Sequence, residues 1–280
     1  MTAWLNGEWT DAPMVAADDR GLLLGDGAFA TLRVVRSRPL FWERHWARLA
    51  EALDILAIPT PFASEALEKA AGEIAMRAGL DDAAVRLTIT RGGGVRGLAP
   101  PDAPRPTALM TAHPRPPPFT APATTVISSV RRLASSPLTP LKTLGYAENI
   151  LALKKARAAG MQEAILSNEH GRLVSTSMAS LFLIDNGVVA GVPKAEGARD
   201  GVAKSVLKSA AAAIGAPYEE RPIAPETATL SFLFAANAVR GPHRLALTGA
   251  RPANAAAEAL FERLQAAYRQ LEDQAAEAFR

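Results

Sequence analysis

Apolar and polar positions along this chain recur at two spacings, one suited to strands and one to helices. Ala28 to Val35 and Val85 to Thr90 read as strands. Trp42, Trp46, Leu49, Leu53 and Leu56 lie about one helical turn apart and predict an amphipathic helix to about Ala57, stopped by Pro59 and Pro61. A second helix is expected from Ser64, a residue suited to capping, to Ala78, with Gly79 at its end. Residues 3–9 read as a short strand with a turn at Asn6-Gly7, and Arg36 to Pro39 as a turn leading into Leu40, Phe41 and Trp42. Further on, Thr125 to Val130 predicts a strand, and Ala147 to Ala159 a helix ended by Gly160. Glu163 to Ser167 and Arg172 to Ser175 flank the turn Asn168 to Gly171. Ser180 to Ile184 and Val188 to Gly191 flank Asn186-Gly187, a strong hairpin signal. Gly201 to Ile214 predicts a helix with Val202, Val206, Leu207, Ala210 and Ile214 inward, Leu230 to Ala235 a strand, and Ala253 onward a helix.

Strands outnumber helices and hairpins prevail, which predicts an α+β fold with mixed sheets in two lobes. The sharpest break is His113 to Pro122, with five prolines in ten residues. Proline fixes φ and removes a donor, so neither helix nor central strand is expected there. The chain thus reads as a smaller α/β domain over residues 1–115, a proline-rich linker over 116–122 and a larger α/β domain over 123–280.

Composition narrows the function classes. The chain has 280 residues, 49% of them apolar and 21% charged, as in ordinary globular proteins. No stretch approaches the length of a membrane span. The first residues lack a basic segment followed by an apolar core, so a cytoplasmic location is the default expectation. Cysteine is absent, which excludes disulfides, thiolate nucleophiles and iron–sulfur clusters. Net charge is +3, and the basic residues are scattered rather than clustered, which argues against a nucleic-acid partner.

Candidate chemistry concentrates in a few places. Gly92, Gly94 and Gly97 satisfy a dinucleotide-binding spacing, but Pro100, Pro101 and Pro104 follow where a helix would have to open. The loop instead offers Arg91 and Arg96 as a fork for a carboxylate. His45, His113, His170 and His243 are too dispersed for a metal site, and no serine-hydrolase elbow occurs. Lys142 lies in an otherwise uncharged run from Leu133 to Ala147. It is either a lysine reaching to solvent or an amine nucleophile whose pKa desolvation lowers.

These segments line up, in order, with one family. Leu24-Gly25-Asp26-Gly27-Ala28-Phe29, Thr31-Leu32-Arg33, His45 with Arg48, Thr90 to Gly97, Leu141 to Leu144, Gln162 to Leu166, Gly171 to Val174, Gly201 to Lys204 and Ala236-Asn237-Ala238 resemble the class IV pyridoxal-phosphate aminotransferases. That family includes branched-chain and D-amino-acid aminotransferases and aminodeoxychorismate lyase. The resemblance spans about residues 4 to 245. It implies a fold-type IV enzyme of two lobes with pyridoxal 5'-phosphate held between them. Lys142 would carry the cofactor covalently. Arg48, the N–H groups of Val202 and Ala203 after Gly201, and the Asn237 side chain would hold its phosphate. Arg96 would hold the carboxylate of an amino-acid-like substrate, with Leu98 standing where D-amino-acid aminotransferases carry histidine, and Arg91 of the same loop is its candidate partner. The resemblance also implies a homodimer.

Two positions depart from the family pattern. Where the family has a glutamate facing the pyridine nitrogen, this chain has Ser175, and the asparagine five residues on is Ser180. A serine brings a hydrogen bond but no charge, so the ring would draw electrons less strongly. That disfavours transamination more than an elimination driven by forming an aromatic product. The position where lyases carry a threonine is Ala30, with Thr31 on the opposite face of its strand, so Ser175 leans toward a lyase and Ala30 leans away from it. The leading expectation, by a small margin, is an aminodeoxychorismate-lyase-like enzyme releasing pyruvate and p-aminobenzoate. The alternatives are a D- or branched-chain amino-acid aminotransferase, or a homologue that keeps the fold without the catalysis.

Overall fold

A computed structural model describes residues 2–94, 96–252 and 254–277. Its Cα positions group into two units. One comprises Met1–Pro116, Leu141–Gly145 and Ala275–Arg280, the other Pro117–Pro140 and Tyr146–Gln274. Leu141 to Gly145, which carries Lys142, thus groups with the first unit although it follows the proline-rich segment in sequence.

The first unit is built on an antiparallel sheet of six strands. Its order is Glu8–Thr10, Ala3–Leu5, Thr107–Pro114, Asp82–Thr90, Gly27–Val35 and Arg38–Pro39. Helices Trp42–Ile55 and Ser64–Arg77 share a core with it. Alternation along the strands decides which side chains enter that core. Ala28, Ala30, Leu32 and Val34 go in, together with Val85, Leu87 and Ile89 and with Leu49, Leu53, Leu67 and Ile74 of the helices. Phe29, Thr31 and Arg33 therefore point to the other face.

Several expectations change in detail. Residues 3–9 are a hairpin, not one strand. Asn6 and Gly7, at φ 50° and 98°, turn Ala3–Leu5 back on Glu8–Thr10. Ser64 does not cap its helix; the boundary residue is Ala63, and the Ser64 hydroxyl accepts from Trp42 Nε1 at 3.0 Å. The strand Thr107–Pro114 runs into the proline-rich segment, and His113 and Pro114 pair with Ala84 and Ala83. Pro114 is tolerated because it is the last residue of the strand, where a missing N–H matters least.

The loop after Thr90 makes no helix, and it is held by charge. Asp26 receives Arg20 Nε at 2.9 Å and Arg91 Nε at 2.7 Å. The Arg20 guanidinium also donates to the carbonyls of Gly97, Leu98 and Ala99. Gly92 has φ 83°, and a Cβ there would meet the Arg105 carbonyl oxygen at 1.8 Å, so only glycine fits.

In the second unit the sheet order is Tyr218–Glu220, Val188–Gly191, Ser180–Asp185, Phe232–Asn237, Gly241–Leu247, Ala123–Arg132, Glu163–Asn168 and Leu173–Thr176. The last strand returns to the third through Ser175 opposite Ser180, which closes the sheet into a ring. The pairings of Ala123–Arg132 with Gly241–Leu247 and with Glu163–Asn168 are parallel. The crossover to Glu163–Asn168 contains helix Ala147–Ala158, whose Ala152 and Ala156 pack on Ala164 and Leu166. The predicted Asn186-Gly187 hairpin forms. The segment from Leu230 opens differently: a short helix, Pro225–Leu230, precedes the strand Phe232–Asn237.

The Asp26 cluster makes the first unit acid-sensitive. Burial alone would raise the Asp26 pKa, but Arg91 and Arg20 outweigh it and hold the carboxyl below its ordinary 3.8. The stability it contributes is complete above that value and is lost as pH falls through the depressed one. Asp26→Ala leaves two buried guanidiniums without their carboxylate and should cost about 3–5 kcal/mol. Urea unfolding at pH 7 measures this; a loss below about 1 kcal/mol would show the pair to be dispensable.

Candidate functional site

In the first unit the chemistry gathers at the free edge of strand Gly27–Val35. Phe29 N donates to the Lys142 carbonyl at 2.9 Å, and Leu144 N donates to the Gly27 carbonyl at 3.1 Å. These bonds fix the Lys142 backbone as a strand extension, with Leu141 anchored in the core. Lys142 Nζ lies 4.3 Å from the centroid of the Phe29 ring. The Arg86 guanidinium carbon lies 3.5 Å from the same centroid. Both cations lie against one aromatic ring, which helps to order them. Arg86 is a candidate substrate-binding residue that sequence reasoning passed over. Its only signal was a charge at an alternate position within Val85 to Thr90.

This geometry corrects the reading of Ala30. Ala30 is a core residue, on the helix-covered face. Thr31 stands with Phe29 on the opposite face and directly across from Arg86 in the ladder. The hydroxyl on the Lys142 side of the strand is therefore that of Thr31.

Helix Trp42–Ile55 places His45 and Arg48 one turn apart on one face. Burial pushes His45 down to about 3, and the Lys142 charge adds to the effect, so His45 is a neutral imidazole at working pH. Arg48 is about one-third exposed and pairs with Glu51 at 2.6 Å. The expected Arg91–Arg96 fork is not made. Arg91 is buried and spends its guanidinium on Asp26 and on the carbonyls of Leu56 and Ala57. Arg96 is exposed on the bend that Arg20 clamps. Arg91 shapes the loop, and Arg96 alone stays accessible.

In the second unit Ser175 is buried, and its Oγ has no hydrogen-bond partner among the described residues. A buried hydroxyl without a partner is costly, so this atom is a marked site for a ligand. Ser175 sits opposite Ser180, and a Cβ built on Gly201 would lie 3.6 Å from Ser180 Oγ. The start of helix Val202–Ala213 is thereby next to the two serines. Gly201 caps that helix without a side-chain bond, and the ladder begins at Ser205 N to Gly201 O. The N–H groups of Val202 and Ala203 have no carbonyl of their own helix to reach, which suits an anion. Asn237 uses Oδ1 to accept from Val239 N and Arg240 N, so its amide Nδ2 is what it has to offer a phosphate.

Glu163 is the second residue that sequence reasoning missed. It is almost fully buried and accepts from Ala164 N, Ser177 N, Thr176 Oγ1 and Ser177 Oγ. Burial raises its pKa, and those hydrogen bonds pull it part of the way back. The carboxylate holds the turn after Ser175. In the sequence it is an acid opening an apolar strand, within the matched segment Gln162 to Leu166.

Among the described residues no helix is long and apolar enough to cross a membrane, and no trio of His, Asp or Glu gathers as metal ligands.

Residues 27–244 match the family described as Amino-transferase class IV. A Methanocaldococcus jannaschii protein, provisionally named a branched-chain-amino-acid aminotransferase, is 32% identical over 80% of this chain and 79% of its own length. The 4-amino-4-deoxychorismate lyase of Pseudomonas aeruginosa is 29% identical and superposes with a TM-score of 0.81, covering 94% of this chain and 98% of its own. The branched-chain amino acid aminotransferase of Escherichia coli, 22% identical, shares the fold with a TM-score of 0.89 over 97% of this chain and 94% of its own.

The two faces of strand Gly27–Val35 can be separated by substitution. Ala30→Leu should overpack the core and cost about 1–3 kcal/mol. Thr31→Val should change stability by less than about 0.5 kcal/mol. Urea unfolding of both variants checks the assignment; equal losses would place the two side chains in equivalent surroundings.

Proposed function

We propose that this chain, which belongs to the class IV amino-transferase family of pyridoxal-phosphate enzymes, cleaves an aminodeoxychorismate-like substrate to p-aminobenzoate and pyruvate. The observation that carries this reading is the buried Ser175 hydroxyl without a partner. Each unit carries groups of the kind the cofactor needs: the first has the Lys142 amine, and the second has the N–H donors of the uncapped helix start at Gly201 and the neutral Ser175 Oγ, which would face the pyridine nitrogen.

Bound pyridoxal phosphate supplies an aldehyde for the substrate amine and a ring that draws electron density from the carbon bearing it. We assign its covalent hold to Lys142 and its phosphate to Arg48, Val202, Ala203 and Asn237. Once its amine is free, Lys142 moves the proton at the amine-bearing carbon as general base and acid. Neutral His45 adds no second positive charge beside it. Arg86, with Arg96 on the neighbouring loop, binds the substrate carboxylate. The Thr31 hydroxyl hydrogen-bonds the substrate on the Lys142 side. The overall reaction splits one molecule into two with no added water or oxidant. Its driving force is the aromatic ring that forms, so it depends less on the cofactor ring as an electron sink.

A second reading, a D- or branched-chain amino-acid aminotransferase, is favoured by the Methanocaldococcus jannaschii relative. The two part at Ser175. Wild-type protein should exchange amino groups slowly with common amino acids and release p-aminobenzoate from aminodeoxychorismate. Ser175→Glu restores a carboxylate at the pyridine nitrogen and should speed single-turnover amino transfer by about tenfold. Borohydride reduction and peptide mapping should place the pyridoxyl group on Lys142 in both proteins. Fast wild-type transfer, unchanged by the substitution, would sink the lyase reading. An adduct away from Lys142 would sink the cofactor assignment.

The enzyme acts as a homodimer in this reading. Sedimentation equilibrium should give twice the chain mass of 29.5 kDa; a single-chain mass at micromolar concentration contradicts it.

A further inference from the structure

The second unit holds a cavity of about 590 Å³, lined by none of the residues assigned above to the cofactor or the substrate. Its wall comes from strand Ala123–Arg132, from the end of strand Glu163–Asn168 with residues 170–172 of the turn beyond it, and from residues 224–226. The pairing of the two strands slips between Ile127 and Arg131, at this wall. An irregularity of this kind bends a strand and re-aims its side chains. Past the slip, Arg131 stands beside Ser167 in the parallel ladder, and both line the cavity.

Some polar groups of this wall are taken up by the fold and others are not. Ser128 Oγ accepts from Val130 N and Ser129 Oγ from Lys155 Nζ, each at 3.0 Å. His170 Nε2 lies 3.9 Å from Glu169 Oε1. Ser167 is different: it is 6% exposed, and its hydroxyl makes no hydrogen bond with a described residue. A hydroxyl so deep, without a protein partner, has its bonding capacity left for what fills the cavity. Arg172 donates through Nε to Glu196, which is buried and held by Asn168 Nδ2 at 2.7 Å. That bond fixes the guanidinium, and its two Nη groups donate to no described residue. Arg131 and Glu226 are exposed, and neither forms an ion pair or a side-chain hydrogen bond with a described residue, including each other. Glu196 balances Arg172, so one guanidinium and one carboxylate stay unpaired on the same cavity. A plain anion would meet the Glu226 charge, and a plain cation would meet Arg131. A ligand carrying both charges satisfies both.

We propose that this cavity binds a small zwitterion of the amino-acid class, with its carboxylate on Ser167 Oγ and the guanidiniums of Arg131 and Arg172, and its ammonium on Glu226. The site lies within the second unit and uses no group assigned to the cofactor, so it stands independently of the reaction proposed above. Arg131 and Glu226 are exposed, so each can be replaced without opening the core.

The test uses the full chain saturated with pyridoxal phosphate and reduced with borohydride, so that an added amine no longer reacts at the cofactor. Calorimetric titration at constant ionic strength compares glycine, L-leucine and L-glutamate with the acids that lack the amine: acetate, 4-methylpentanoate and glutarate. Wild type should bind at least one of the three amino acids, and at least about tenfold more tightly than its deaminated acid. Arg131→Ala, Ser167→Ala and Glu226→Gln should each weaken that binding, the two charge removals by at least about tenfold. Glu226→Gln should also shrink the preference for the amino acid over its acid, an effect that general loosening of the fold would not produce. The proposal is overturned if none of the three amino acids binds, or if Arg131→Ala and Glu226→Gln leave the binding unchanged. It is equally overturned if the acid binds as tightly as the amino acid and Glu226→Gln tightens both, which would make the cavity a plain anion site.

Discussion

Two backbone hydrogen bonds, Phe29 N to Lys142 O and Leu144 N to Gly27 O, fix where the Lys142 main chain stands in the first unit. They tie a short segment that follows the proline-rich stretch to the edge of an antiparallel sheet made of much earlier residues. A lysine in a free loop would keep its rotamer entropy and its hydration. On this edge its main chain is fixed, its stem follows an aromatic ring, and its amine shares that ring with Arg86. Alternation along the strand then assigns everything else. Phe29 and Thr31 face the lysine, while Ala28 and Ala30 face the core. One residue of register separates a threonine on the Lys142 side from a packing alanine.

The charged residues of the first unit divide into those that build and those that remain available. Asp26, Arg20 and Arg91 form a nearly dry cluster that clamps the glycine loop by its carbonyls. Asp19 does the same for the neighbouring strands through Thr90 and Thr107. These carboxylates are engaged by donors of the fold itself. Arg96 is exposed on the bend whose carbonyls Arg20 holds, and Arg86 lies over Phe29.

In the second unit the closing contact of the ring, Ser175 opposite Ser180, brings two hydroxyls beside a helix start. Glu163 supports the turn between them from below, with its own charge spent on Thr176 and Ser177. The carboxylate in this neighbourhood is thus structural, and the atom left without a partner is a neutral hydroxyl. The proposed lyase reading rests on that division, because a neutral contact stabilises developing negative charge less than an ionised one.

Periodicity alone located most of the helices and the Asn186-Gly187 hairpin, because those signals are local. The helix of Trp42, Trp46, Leu49 and Leu53 is visible in its spacing, and the ordered motifs around Lys142 and Gly201 pointed to the class IV family. What sequence could not show was pairing between distant segments. Thr107 to Pro114 is a central strand although prolines crowd its end, since its partners come from residues 3–5 and 82–90. Arg91 and Arg96 look equivalent in sequence, yet Asp26 and two carbonyls take one and leave the other. Ala30 and Thr31 could not be assigned to faces until the side bearing Lys142 was known. The sequence by itself determined the local elements, the family and the residue types available for catalysis. Only the tertiary structure decided which of those residues share a face, because hydrogen bonding and burial between distant strands, not spacing along the chain, determine which polar groups are consumed and which remain available for chemistry.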